Sequence, residues 1–105
     1  MEFIYKLRLI DRLFVEENWT DEDNRITMEH YNHLVELKNQ NKLILAGKTA
    51  GLDIETYGIV VFQCDSIEEA KDIMRNDPAV KHGIMVGNLK EYNVALVNTE
   101  YKKTG

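Results

Sequence analysis

The chain has 105 residues, a length typical of one domain with one hydrophobic core, so we expect residues 1–105 to form a single domain. Its net charge of −5 argues against a nucleic-acid partner, since phosphate binding needs a concentrated basic face. No apolar stretch approaches the roughly 20 residues of a membrane span, and the first residues lack the plan of a signal peptide, so we expect no membrane partner and a cytoplasmic location.

The first 20 residues predict a strand followed by a loop. Residues 2–10 alternate between a fully apolar face and a mixed one, which is typical of a β-strand. Residues 11–20 are predicted to form a loop that carries Phe14 and Trp19. Large aromatic residues in a loop usually have a use, so we expect these two either to pack or to form the wall of a pocket.

An amphipathic helix is predicted next, capped by Thr20 or Asp21 and running to about Gln40. The acidic residues at its start suit the positive end of the helix dipole. Its apolar stripe has helical spacing and comprises Ile26, His30, Leu34 and Leu37. His30 therefore occupies a position on this stripe where a hydrophobic residue is expected.

The second half of the chain predicts two strands, a second helix and a final strand. The segments are a buried strand at "KLILAG", a turn-rich connector at "KTAGLDIETYG", a strand at "GIVVFQC", a helix at "DSIEEAKDIMRNDP" and one bent or two short strands at "GIMVGNLKEYNVALVN". Ser66 and Glu69 form a capping-box pattern, and Pro78 is expected to set the end of the helix. The order β-α-β-β-α-β predicts an α+β, ferredoxin-like fold, in which two helices cover one face of a four-stranded antiparallel sheet.

The other sheet face has no helix to cover it. Several of the residues expected there are large and apolar, and a sheet face of that kind is an association surface. We therefore expect a homodimer formed sheet against sheet, which closes the two open sheets into a shared barrel.

The imidazole of His30 needs a polar partner if it faces the sheet, because a buried polar group without one is costly. Asp77, at the end of the second helix, is a candidate, since both helices lie on the same face. A carboxylate would fix the imidazole tautomer. Two purely structural alternatives remain. His30 can be a buried histidine whose ring nitrogens are hydrogen-bonded, and Asp77 can be an aspartate before a proline that accepts hydrogen bonds from nearby backbone amides. His33 competes for the same role and is interpreted as a boundary residue.

Three sequence blocks resemble the YCII-related (YciI-like) family of the dimeric α+β barrel superfamily. The blocks are "H-x-x-x-L-x-x-L" running into "LILAG", "GIVVF", and "S-x-E-E-A-x-x-I-M-x-x-D-P" followed by "GIM". The resemblance implies the ferredoxin-like fold, the sheet-to-sheet dimer, and a His–Asp dyad of His30 and Asp77 in a pocket. Many relatives have proline after the Ala-Gly of the first block, whereas this chain has Lys48.

A neutral histidine that is hydrogen-bonded to an aspartate is the typical arrangement of a general base. The sequence thus predicts an enzyme that transfers protons on a small organic molecule, as an isomerase, a lyase or a dehydrohalogenase does. Arg8 or Lys48 is a candidate to hold an anionic substrate group, and Tyr5 is a candidate hydrogen-bond partner. The alternative is a non-catalytic dimer that binds a small metabolite. Asn18-Trp19 with a histidine faintly resembles haem-degrading or aromatic-oxidising members of the superfamily, for which haem binding is the test.

We expect no metal and no cofactor. No Cys/His spacing suits structural zinc, and one His with one Asp provides too few metal ligands. A glycine-rich phosphate loop is also missing from the sequence. The single cysteine, Cys64, excludes an internal disulfide and is interpreted as a small packed residue.

Overall fold

The four strands form one antiparallel sheet in the order β2-β3-β1-β4. A computed structural model describes residues 1–104. Its elements are β1 (Glu2–Leu9), α1 (Asp21–Asn39), β2 (Leu43–Lys48), β3 (Gly58–Gln63), α2 (Ile67–Arg75), α3 (Pro78–Lys81) and β4 (Met85–Tyr92). The α+β, ferredoxin-like fold is therefore confirmed. The last strand is a single strand, and the segment from residue 11 to 18 forms two short 3₁₀ turns.

The main core lies between the sheet and the helices. Alternate residues of β1 are buried on this side, and Phe3 and Tyr5 both pack against Phe62 of β3. The ring centroids are 5.8 Å apart for Phe3 and Phe62 and 5.7 Å apart for Tyr5 and Phe62. Tyr5 thus enters the core at the centre of the sheet, directly beneath the helices.

The region around Pro78 differs from the sequence expectation. The second helix ends at Arg75, and Pro78 begins the additional short helix α3, whose N-cap is Asp77. Proline is well suited to the first turn of a helix, because its φ angle is preset and its missing N–H has no helical partner there. Since α3 contacts both α1 and α2, this junction places Asp77 against α1 rather than at the free end of a helix.

A buried carboxylate fixes the start of α1. Thr20 is the N-cap, and its side chain accepts from the backbone N–H of Asp23, while the Asp23 side chain accepts from the backbone N–H of Thr20. Asp23 also receives two hydrogen bonds of 2.7 Å from the guanidinium of Arg12. The 3₁₀ turns that precede α1 are therefore tied to its first turn.

The Arg12–Asp23 pair makes the stability of the fold pH-dependent. Hydrogen bonds from Arg12 hold the pKa of the Asp23 carboxyl well below its usual range. The unfolded chain, where an aspartate titrates near 3.9, therefore binds more protons than the folded one. The stabilisation is present above about pH 4 and is lost as the pH falls below it. We expect the urea midpoint to drop as the pH falls from about 4 to about 2, and to drop less in Asp23→Asn. Equal drops in both proteins would contradict the assignment.

The uncovered sheet face is mixed rather than uniformly apolar. Its exposed apolar residues are Leu45, Val86 and Tyr92, which are 51%, 64% and 41% exposed. Lys6 and Arg8 of β1 point to the same face and are also exposed. Within residues 1–104, no helix has the length and apolar character that crossing a membrane requires.

Candidate functional site

His30 and Asp77 are in direct contact, although 47 residues separate them in sequence. The Nδ1 atom of His30 lies 2.7 Å from Oδ1 of Asp77. The Asp77 side chain is fully buried, and that of His30 is 14% exposed. The helical stripe of α1 turns the imidazole inward, and the N-cap position of α3 turns the carboxylate toward it.

The carboxylate of Asp77 is held from two further directions. The hydroxyl of Tyr5 donates to Oδ2 at 2.8 Å, and the backbone N–H of Ala79 donates to Oδ1 at 3.1 Å. Both interpretations of Asp77 from the sequence therefore apply at once, since it caps a helix and also contacts His30. A side chain with this many partners has little freedom to rotate, so its position relative to the imidazole is fixed.

Tyr5 is a permanent donor in this cluster. Burial raises the pKa of its hydroxyl far above the ordinary value, and the negative charge of Asp77 beside it raises the pKa further. The hydroxyl therefore keeps its proton across the accessible pH range, and that proton remains directed at Asp77.

The cluster also determines which nitrogen of His30 is available. An ionised carboxylate can only accept hydrogen bonds, so Nδ1 must carry the proton that it shares with Asp77. Among the described residues, Nε2 makes no hydrogen bond and is not one of the buried side-chain atoms lacking a partner. In the neutral imidazole, Nε2 is thus an accessible lone pair.

His30 lines a cavity of about 520 Å³ between α1, the sheet and the β2–β3 connector. This volume lies within the range of pockets that hold small organic ligands. The walls are mainly apolar: among the lining residues are Leu7, Leu34, Val60 and Met85, with the aromatic residues Trp19 and Tyr31. The sequence interpretation of Trp19 as packed or part of a pocket wall is consistent with its position, since it also packs against the smaller core cluster.

Two parts of the cavity wall are loops that hydrogen bonds hold in place. The indole N–H of Trp19 donates to the backbone oxygen of Leu13 at 3.0 Å. In the connector, the backbone N–H of Thr49 donates to the oxygen of Tyr57 at 2.9 Å, and the N–H of Tyr57 donates to the Thr49 hydroxyl at 3.0 Å. The walls supplied by these segments are therefore part of the folded framework.

The other sequence-predicted site residues have different positions. Lys48 lines the cavity, whereas Arg8 points to the opposite face of the sheet from Tyr5 and is not part of its lining. Tyr5 is fully buried and is not among the lining residues, so its hydroxyl serves Asp77.

The other titratable residues considered from the sequence, His33 and Cys64, do not line the cavity. His33 is half-buried, its Nε2 has no partner, and burial lowers the pKa of its imidazole. Burial likewise raises the pKa of the Cys64 thiol, which keeps this side chain in its unreactive, protonated form. Among residues 1–104, no group of three His, Cys, Asp or Glu side chains is arranged to hold a metal ion.

Sequence reasoning missed some of the cavity wall. Lys38 of α1 and Thr56 of the connector line it and were not singled out from the sequence, whereas Tyr31 was expected to widen the apolar stripe of this helix. Lys38 could have been predicted, because a position eight residues after His30 belongs to the same helical stripe. Thr56 had no comparable signal, since the turns of the connector decide where it points.

The Tyr5–Asp77 hydrogen bond predicts a measurable loss of stability. Tyr5→Phe removes the side-chain donor to Oδ2 of Asp77 and leaves a buried acceptor without its partner, which costs about 1–3 kcal/mol in unfolding free energy. Urea denaturation measures the difference. Tyr101→Phe, which removes a hydroxyl from an exposed tyrosine, is the matched control and should change stability by less than about 0.5 kcal/mol. Equal stability of Tyr5→Phe and the parent would show that this hydrogen bond contributes nothing.

Comparisons with known proteins agree with this fold. The solved structure of 5-chloro-2-hydroxyhydroquinone dehydrochlorinase (TftG) from Burkholderia phenoliruptrix AC1100, in complex with 2,5-dihydroxybenzoquinone, matches with a TM-score of 0.67 and 19% sequence identity. The match covers 90% of this chain and 96% of that chain, and at this identity it shows a shared fold. Comparison with curated proteins gives no match. The model of the YCII-related domain matches residues 11–93, and the chain therefore belongs to the YCII-related family.

Proposed function

We propose that this protein is an enzyme in which His30 transfers protons to and from a small organic molecule bound in the cavity. The observation that carries the proposal is the contact between a cavity-lining imidazole and a fully buried carboxylate. Asp77 fixes the tautomer, so that the Nε2 lone pair is the proton acceptor. The same carboxylate then stabilises the imidazolium that forms when Nε2 takes up a proton.

The surroundings of His30 favour acid–base chemistry over the alternatives. Mainly apolar walls offer few hydrogen-bonding partners to water, and the resulting low local polarity strengthens the interaction of the buried Asp77 with the developing positive charge. None of the lining residues is a serine or a cysteine, so the cavity supplies no hydroxyl or thiol nucleophile of these kinds beside the base. Proton abstraction and return is therefore the reaction class that the imidazole–carboxylate pair favours.

Elimination of HCl is the specific reaction that we propose first. The structural neighbour TftG is a dehydrochlorinase, and it has the same fold over most of both chains. Such a reaction needs a group that accepts and returns protons, while chloride leaves with the electron pair of the C–Cl bond. The Nε2 atom of His30 is suited to the first task, and the departure of chloride needs no covalent bond to the protein.

The competing function is binding without catalysis. The cavity alone would serve a binding protein, but the arrangement of Tyr5, Asp77 and His30 favours an enzyme, because a binding site made of apolar walls does not need an oriented base. The two functions differ in pH dependence. A rate that depends on the Nε2 lone pair falls on the acid side, as the imidazole becomes protonated, whereas simple binding need only saturate.

Chloride release tests the proposed reaction. The purified protein is incubated with 5-chloro-2-hydroxyhydroquinone under anaerobic conditions, and chloride is quantified by ion chromatography against a sample without protein. We expect release that is proportional to protein concentration and decreases toward acid pH. Release equal to that of the sample without protein would contradict dehydrochlorination of this compound.

We also propose that the uncovered sheet face pairs two copies of the chain. Exposed Leu45, Val86 and Tyr92 on that face support the proposal, since exposed apolar groups gain from mutual burial. Sedimentation equilibrium at micromolar concentration should give about twice the chain mass of 12.2 kDa. Leu45→Arg places a charge in this surface and should shift the mass toward that of the monomer. A parent protein that sediments at 12.2 kDa would contradict the pairing.

A further inference from the structure

We infer that the cavity selects a small molecule with an apolar body and a single negative charge, and that Lys48 binds the charged end. The proposed substrate class rests on the proposed function, because both concern the same cavity. It is tested by equilibrium binding alone, however, so it can hold or fail independently of catalysis.

The charges along the cavity have the opposite sign to the protein as a whole. The chain carries a net charge of −5, with 18 acidic and 13 basic residues. Among the lining residues there are two lysines, Lys38 and Lys48, and no aspartate or glutamate. The Asp77 carboxylate, close to the cavity, is fully buried behind His30 and already accepts three hydrogen bonds. The Asp53 carboxylate is not itself part of the lining, and it accepts from the hydroxyl of the lining residue Thr56 at 3.3 Å and from the backbone N–H of Glu55 at 2.8 Å. The cavity therefore attracts anions on an otherwise acidic protein.

Lys48 is held in place without being neutralised. Its Nζ donates to the backbone oxygens of Thr49 at 3.2 Å and Gly51 at 3.3 Å. Carbonyl oxygens orient an ammonium group but do not cancel its charge, and the three donors of the group leave one for a ligand. An exposed lysine that pointed freely into water would lack this anchoring.

Neither cavity lysine has an acidic partner within the described part of the chain. Lys42 and Lys71, in contrast, lie 3.9 Å and 3.8 Å from the glutamates Glu69 and Glu68. A carboxylate, phenolate or enolate at the cavity would thus meet a cation that no protein carboxylate already occupies. An ammonium ligand would be repelled by both lysines.

The walls determine the body of the ligand. Trp19 and Tyr31 offer aromatic surface, and most of the other lining side chains are aliphatic. Lys48 ends β2 and His30 belongs to α1, so the charge-binding group and the proton-transfer group lie on different walls. A ligand anchored at Lys48 places its apolar body, rather than its charge, along the rest of the cavity.

Three probes of nearly the same shape and different charge test the inference. They are 4-tert-butylbenzoate, 4-tert-butylbenzyl alcohol and 4-tert-butylbenzylamine, titrated by calorimetry at about pH 8, where an ordinary histidine is neutral. Concentrations extend into the millimolar range, because fragment-sized ligands bind weakly. The fluorescence of Trp19, the only tryptophan of the chain, reports in parallel whether the probe enters this cavity.

We expect the carboxylate to bind about tenfold more tightly than the alcohol, and the amine more weakly than both. Lys48→Gln should weaken carboxylate binding about three- to tenfold and leave alcohol binding unchanged, while Lys48→Arg should retain it. The matched control is Lys71→Gln, which removes a lysine from the surface of α2 and should alter neither. His30→Ala should keep the preference for the carboxylate, even where it stops turnover.

Equal affinity for the carboxylate and the alcohol would overturn the inference, as would a carboxylate affinity that Lys48→Gln does not change. Failure of all three probes to bind would also overturn it. A preference for the carboxylate without any turnover of chlorinated substrates would contradict the proposed reaction and leave the inferred ligand class standing.

Discussion

His30→Ala is expected to lower kcat by about 10²- to 10⁴-fold, the usual contribution of a general base. Alanine removes the imidazole that lines the cavity and leaves the walls in place. The effect should fall on kcat more than on KM, because the base acts on the bound substrate rather than on its binding. Steady-state chloride release measures both constants.

The matched control for this variant is His82→Ala. His82 is an exposed histidine at the C-terminal end of α3, away from the cavity lining. The control should retain the parent rate, and far-ultraviolet circular dichroism should show that both variants are folded. A His30→Ala protein as fast as His82→Ala would remove His30 from the chemistry.

Asp77→Asn is expected to lower kcat by about 10²- to 10³-fold while His30 remains present. The asparagine side chain has one oxygen, whereas the Asp77 carboxylate accepts from His30, Tyr5 and the backbone of Ala79. If the amide N–H₂ faces His30, the imidazole shifts its proton to Nε2 and loses the lone pair in the cavity. In the other orientation the tautomer survives, but the charge that stabilises the imidazolium is lost.

A double-mutant cycle separates a shared role from two independent ones. If Asp77 acts only through His30, adding Asp77→Asn to His30→Ala should cause little further loss. Independent losses that multiply in the double variant would show that Asp77 contributes in another way. The pH–rate profile provides a second readout, since a purely structural role for Asp77 would leave its acid limb unchanged.

The inward position of His30 was predictable from helical spacing, whereas Asp77 was only a candidate partner, suggested by the sheet face that the two helices share. The spacing of Ile26, His30, Leu34 and Leu37 predicted the side of α1 on which the imidazole lies. Asp77 is 47 residues away, and periodicity carries no information about which polar groups meet across a core. The family resemblance pointed to this pair where local patterns could not.

Two different conformational preferences of proline act at the junction of α2 and α3. Proline disfavours helix in the residue before it, and α2 does end before Pro78. Proline also favours the first turn of a new helix, and this second preference decides the structure here. The resulting N-cap position of Asp77 brings its carboxylate to α1, which a simple helix end would not do.

The role of Tyr5 depended on tertiary contacts. Alternation along β1 predicted that its side chain shares a face with Phe3 and Leu7. The sequence suggested a hydrogen bond to substrate, but the hydroxyl reaches Asp77 because α3 covers this part of the sheet. Similarly, the placement of Lys48 at the cavity and of Arg8 on the other sheet face follows from the register of β1 and β2.

The tautomer of His30 is the most direct test of the proposed role of Asp77, because its measurement needs no substrate. A long-range ¹H–¹⁵N correlation spectrum of ¹⁵N-labelled protein, recorded above the pH at which the imidazole loses its extra proton, distinguishes the two ring nitrogens. We expect a protonated Nδ1 and an unprotonated Nε2 in the parent protein. A parent protein whose neutral His30 carries its proton on Nε2 would contradict the proposed role of Asp77, because the cavity would then contain no free imidazole lone pair to act as the base.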